Sequence, residues 1–176
     1  MNLLTNSLVI LMILPMAVHA EKADREKDIT IGSVKDCLVR PIDKKTPDLK
    51  QYSCEKDVSI QQGTMEAHGD KLVAEQQAEG QQRISLDGVP VSFKQKLDDD
   101  RGWINAKGSK LVFETDSHTA HIAGGAWIKT DSHEITASRV SYNSETEEVH
   151  AVGETADNPR GRVHIEIKPR ATQVSK

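Results

Sequence analysis

Asp57-Val58-Ser59-Ile60-Gln61-Gln62-Gly63-Thr64-Met65-Glu66-Ala67-His68-Gly69-Asp70-Lys71-Leu72-Val73 carries the strongest structural signal in the chain. Val58 and Ile60 alternate with polar residues, and Met65 and Ala67 do the same after a break at Gln62-Gly63. Alternation with a period of two marks a strand that buries one face. A glycine between two such runs supplies the positive φ that a tight hairpin turn requires. The stretch reads as one β-hairpin.

Its second arm returns along the chain. Ala67-x-Gly69-Asp70-Lys71-Leu72-Val73 comes back as Ala106-x-Gly108-Ser109-Lys110-Leu111-Val112, and more loosely as Ile135-x-Ala137-Ser138-Arg139-Val140-Ser141. The match between the last two copies extends to Phe113 with Tyr142, His121 with His150 and Gly124 with Gly153. A repeat on this scale signals one supersecondary unit stacked on copies of itself. The chain is therefore expected to be all-β, a stack of antiparallel hairpins.

On either side the strands continue. Ile29-Thr30-Ile31 marks a first strand, and Val163-His164-Ile165-Glu166-Ile167-Lys168 is the cleanest alternation and the last strand. Ile84-Ser85-Leu86 reads as a short strand closed by a turn at Asp87-Gly88, and Val89 to Phe93 as a separate strand that Pro90 assigns to an edge or a strand start. Gln76 to Gln82 reads as a loop and Leu97 to Gly102 as a turn. Asp116-Ser117, Asp131-Ser132 and Asn143-Ser144 read as turns, because their side chains bond the downstream backbone. Between those turns the segments run about 12–14 residues, roughly 40–45 Å at ~3.3 Å each. Each carries mid-segment glycine, Gly108 or Gly124-Gly125, where a sharp bend or bulge is expected. Bent antiparallel strands that pass between two facing layers give a jelly-roll-like sandwich.

The 176 residues suit one domain, residues 21–169, and only 3% are aromatic, so the interior must be aliphatic and alanine-rich. Residues 1–20 hold an apolar run from Leu8 to Val18 followed by Val18-His19-Ala20, which reads as a cleaved export signal. A retained membrane anchor is the alternative, although a span wants ~18 or more apolar residues. Arg170 to Lys176 reads as a disordered tail. In an exported chain Cys37 and Cys54 read as a disulfide, with two buried free thiols as the alternative. A net charge of −4 without a clustered basic face argues against nucleic acid.

Signals of chemistry are weak. His118-x-x-His121, with His133 and His150, has the wrong spacing for ligands on one strand face and reads as surface histidine near turns. Asp98-Asp99-Asp100 lacks the downstream glycine and glutamate of a calcium loop. No nucleophile elbow, phosphate loop or zinc-protease motif occurs. No enzyme, metal or cofactor is expected. The face formed by Val58, Ile60, Val91, Phe93, Leu111, Phe113, Ile122, Ile128, Ile135, Val163, Ile165 and Ile167 reads, by itself, as a filled core.

Val58-x-Ile60-x-Gln62-Gly63-Thr64-x5-Asp70-Lys71, then Gly88-x-Pro90-x-x-Phe93-x-Gln95, then Gly124-x-Ala126-x-Ile128 resemble the OstA-like family of periplasmic lipopolysaccharide-transport proteins. The resemblance covers about Asp28 to Lys168. It implies a twisted, V-shaped antiparallel jelly roll, open at both ends, that carries lipopolysaccharide by its lipid A acyl chains. It further implies head-to-tail self-association, inner- and outer-membrane transport partners, a periplasmic location and no catalysis. Acyl-chain contacts are then expected at Ile29, Ile31, Val58, Ile60, Phe93, Phe113, Thr115 and Ile128. The joining edges are expected at Ile29 and Ile31 on one side and at Val163, Ile165 and Ile167 on the other. A stand-alone glycan-binding or adhesion module is the competing class.

Overall fold

The computed structural model describes residues 24, 27–77, 80–97, 101–156 and 158–168. The apolar leader 1–20, Asp98-Asp99-Asp100 and the tail 170–176 lie outside the described residues. Among the described residues ten strands form one antiparallel sheet: β1 (Thr30–Gly32), β2 (Cys37–Pro41), β3 (Lys50–Gln62), β4 (Met65–Gln76), β5 (Gln82–Lys96), β6 (Trp103–Glu114), β7 (Thr119–Lys129), β8 (His133–Asn143), β9 (Val149–Val152) and β10 (His164–Ile167). Their order is β1-β3-β4-β5-β6-β7-β8-β10, with β2 also beside β3 and β9 also beside β8.

Each pairing between β3 and β8 is interrupted once. The register shifts between Glu55 and Val58, His68 and Lys71, Asp87 and Val91, Lys107 and Lys110, and Ala123 and Ala126. The breaks fall side by side and form a crease across the sheet. Bulges bend the strand that carries them and tighten its twist. Here they fold one sheet into a V-shaped, jelly-roll-like sandwich of two wings.

The first wing holds β1, β10 and the Gln62, Met65, Lys96, Trp103, Lys129 and His133 ends of the long strands. The second holds β2, β9 and their other halves. One row of the first wing runs Ile31, Ile60, Ala67, Phe93, Ala106, Ile128, Ile135, Ile165. A matching row of the second runs Val39, Tyr52, Ala74, Ile84, Phe113, Ala120, Tyr142, Val149. The two wings share one apolar cluster between them. Period-two alternation is thus the local cause of the core.

Close approach sets the sequence of the crease. A Cβ at Gly108 would lie 2.6 Å from the Ala123 carbonyl oxygen, so no side chain fits there. On β3 no glycine is present. Lys56 and Asp57 themselves adopt positive φ, 68° and 53°. That backbone is braced from outside: the Ser33 hydroxyl donates to the Glu55 carbonyl at 2.6 Å, and Val34 N–H donates to the Lys56 carbonyl at 3.2 Å.

Two expectations need correction. Asp87-Gly88 is not a turn but the crease within a single strand, β5, that runs from Gln82 to Lys96. Pro90, with a cis bond from Val89, lies in the interior of the sheet rather than at an edge. Proline is tolerated there because the ladder is already broken between Asp87 and Val91, so no hydrogen bond is lost. The hairpin turn falls at Gly63-Thr64, with Gln62 opposite Met65, and Gly63 has φ 59°.

Candidate functional site

The space between the wings is the concave feature that the register rows line. Its width varies from end to end. At the β1 end a mouth of about 690 Å³ is lined by residues that include Ile29, Ile31, Tyr52, Cys54 and Thr115. At the β10 end a mouth of about 880 Å³ is floored by Leu97, Ile104, Ile128, Ile135, Tyr142 and Val149 and rimmed by Arg101, Lys129 and Lys168 together with Asp131 and Glu147. Between them Ile60, Met65, Ala67 and Phe93 of the first wing meet Ile84, Leu86, Leu111 and Phe113 of the second, around a void of only about 10 Å³. The interior is two vestibules, the β10 one mainly apolar and the β1 one mixed, with Lys27, Asp28, Gln62 and Gln82 beside its apolar residues; a packed waist separates them, and an end-to-end slot is not open in this structure.

The expected contact residues fall across all three regions. Ile29, Ile31 and Thr115 line the β1 mouth. Ile60, Phe93 and Phe113 line the waist, and Ile128 lines the β10 mouth. Val58 is buried in the cluster and lines none of the three. Thr115 has a structural task as well: its hydroxyl accepts from Gln82 N–H at 2.8 Å and ties β5 to the β6 end. Sequence reading missed Arg101, Glu147, Tyr142, Val149 and Lys168, which only the fold brings to the mouth.

The sheet ends follow the same geometry. β1 pairs with β3 and β10 with β8, and neither has a partner on its outer edge among the described residues. Contrary to the expected core face, Ile165 and Ile167 stand 53% and 70% exposed on β10, and Val163, one residue before that strand, is exposed as well, because no further strand or layer covers this end of the sheet among the described residues. Unpaired strand edges bearing apolar side chains are templates for another strand. Next to β1, the Cys37–Cys54 disulfide fastens β2 to β3 at directly opposed positions. The Asp43 carboxylate closes the connecting loop by accepting from Lys45 N–H and Thr46 N–H, at 2.6 and 2.7 Å.

Charge on the outer face is organised around tryptophan. The Trp127 indole N–H donates to Glu134 at 2.8 Å, and Lys129 pairs with the same carboxylate at 3.3 Å. These contacts, the indole first, hold the Glu134 carboxyl below the ordinary carboxylate range. Lys107 lies over the Trp127 ring and Lys94 over the Trp103 ring. No group of three or more potential metal ligands is found among the described residues.

Comparison with known proteins bears on both the fold and the family. No curated protein matches the sequence. The crystal structure of LptH from Pseudomonas aeruginosa, described as the LptA-homologous periplasmic component of the lipopolysaccharide transport device, superposes with a TM-score of 0.71 at 20% identity, covering 83% of this chain and 99% of that one. At that identity the likeness is one of fold. The family model for the LptA/(LptD N-terminal domain) LPS transport protein matches residues 45–148, the part that holds β3 to β8 and the whole crease. On that match the chain belongs to the family of LptA and LptD N-terminal-domain lipopolysaccharide transport proteins.

Proposed function

We propose that the chain is an exported periplasmic carrier of lipopolysaccharide, bridging the inner and outer membranes without performing catalysis. The observation that supports this reading is the pair of mouths at opposite ends of one creased sheet, opening onto a shared apolar interior and each beside a free strand edge. Acyl chains of lipid A lodge between the wings, where each CH₂ withdrawn from water contributes about 0.8 kcal/mol. With the waist packed, the wings separate there as a chain passes. Ile60, Phe93 and Phe113 then exchange contacts with each other for contacts with lipid.

Copies join head to tail, β10 of one against β1 of the next, so that vestibules become continuous. Main-chain hydrogen bonds give such a joint its strength, and the exposed Ile165 and Ile167 give it an apolar seam. Membrane components of the transport machinery offer equivalent edges at the two ends of the chain of copies. The leader 1–20 is removed on export, and residues 21–169 are the working domain.

A photoreactive amino acid in place of Phe93 tests the reading in cells. The expected result is a lipopolysaccharide adduct, together with lipopolysaccharide retained at the inner membrane when the protein is depleted. A protein that folds and exports normally but yields no lipid adduct, and whose depletion leaves lipopolysaccharide distribution unchanged, overturns it in favour of a glycan-binding or adhesion role.

A further inference from the structure

The lip of the V is crossed at the β10 mouth by one bidentate ion pair. Both terminal nitrogens of the Arg101 guanidinium donate to the two oxygens of the Glu147 carboxylate. Arg101 sits in the β5–β6 connection of the first wing, and Glu147 in the β8–β9 connection of the second. The pair therefore ties one wing tip to the other above the apolar floor of Ile104, Ile128 and Tyr142. Its placement is built rather than incidental. Asn143 Oδ1 accepts from Glu145 N–H and Thr146 N–H, each at 2.9 Å, and the chain then turns through a positive φ of 57° at Glu147. That turn presents the carboxylate to Arg101.

The pair is also exchangeable. Its side chains are 49% and 21% exposed, so water and competing anions reach them. Partly exposed ion pairs hold weakly. Guanidinium binds phosphate with the same forked geometry as carboxylate, and phosphate brings more charge. Lys129 and Lys168 stand on the same rim. The β10 rim also carries Asp131 beside Glu147, so its charges are mixed, but it gathers three cations where the β1 mouth has Lys27 with Asp28.

We infer that Arg101 and Glu147 form an anion-displaced latch on a loading site for phosphate-bearing amphiphiles at the β10 mouth. The phosphate ester takes the place of Glu147 on Arg101, the lip is released, and the acyl chain enters over Ile104 and Ile128. This rests on the carrier reading above and adds to it an entrance, a headgroup chemistry and the residue that reads it.

Calorimetric titration of the full folded chain tests the latch with three probes: dodecyl phosphate, dodecyl maltoside and inorganic phosphate. The wild-type protein should bind dodecyl phosphate about tenfold more tightly than dodecyl maltoside, a difference of ~1.4 kcal/mol, and inorganic phosphate only weakly. Glu147→Gln should tighten both amphiphiles several-fold by releasing the lip. Arg101→Gln should abolish the preference for phosphate while maltoside binding stays equal or improves. The exchanged pair Arg101→Glu with Glu147→Arg, which restores a latch with its cation on the other wing, should recover part of the preference.

Preference retained in Arg101→Gln, or affinities unchanged in Glu147→Gln, overturns the latch. So does inorganic phosphate binding as tightly as dodecyl phosphate, which would reveal a bare anion site. If wild type binds both amphiphiles equally, the latch fails while the carrier reading stands. If it binds neither amphiphile and gives no lipid adduct at Phe93, both fail.

Discussion

Asp24 shows how one side chain can set the geometry of the hairpin that anchors the sheet. Its buried carboxylate accepts from the backbone N–H of Thr64 at 2.8 Å and from the Thr64 hydroxyl, while Lys27 pairs with it at 3.3 Å. The carboxylate occupies the space a side chain at position 63 would need: a Cβ on Gly63 would lie 2.0 Å from Asp24 Oδ1. Asp24→Ala strands the Thr64 donor, so chemical denaturation should register a loss of about 1–3 kcal/mol; a change within error would contradict the role. Glu134 is a second residue whose partner defines it. Its folded-state pKa is depressed, so what it adds to stability is complete above the unfolded carboxylate's ordinary value and is lost as pH falls through the folded one. NMR titration of Trp127→Phe should move the Glu134 midpoint upward, and an unmoved midpoint would assign the depression to another cause. Neither residue was legible in the sequence. Asp24 lies forty positions from Thr64, and no local pattern links an acid near the leader to a distant turn.

At the scale of elements, the alternation of Val58 with Ile60 and of Met65 with Ala67 identified the strands because each of these residues faces the shared core. The mid-segment glycines at 108 and 124–125 likewise marked the crease: Gly108 lies against the Ala123 backbone, and Gly124 and Gly125 take positive φ of 74° and 72°, local demands that glycine meets. The same reasoning misread Asp87-Gly88 and Pro90, because a turn and a bulge use the same residues. Only the neighbouring strands decide whether the chain reverses or continues. The disulfide was legible from compartment and spacing, and its structural role is to hold the exposed β2 against β3. Cys37→Ser should cost about 3 kcal/mol on the chain-entropy estimate and loosen β2 first. Thermal melts and hydrogen exchange at Leu38 and Val39 would show this, and unaltered protection there would contradict it. At the opposite end, Ile165→Pro removes a backbone donor from β10. Sedimentation should then find monomers where the unaltered chain forms longer species, with the rest of the sheet unchanged by circular dichroism; undiminished oligomers would exclude β10 as a joining edge.

For the whole molecule, the consequence of folding one sheet along a crease is that every strand from β3 to β8 contributes to both walls of the interior. The wings share backbone at the crease and meet through apolar contact at the waist, with Arg101 and Glu147 joined at one lip. Such a molecule can change the angle between its walls without breaking its strand ladders, because the ladders are already interrupted at the hinge line. The sequence could reveal the walls but not their separation: the same alternating pattern serves a packed interior and a lined one. Lipid carriage requires the waist of Ile60, Phe93, Ile84 and Phe113 to part. Spin labels on Ser117→Cys and Ser132→Cys, at the two tips of β7 on opposite wings, report that motion by pulsed dipolar spectroscopy. Addition of lipopolysaccharide should shift the distance distribution to longer values, whereas an unchanged distribution in samples that carry the lipid adduct at Phe93 would contradict transport between parted wings.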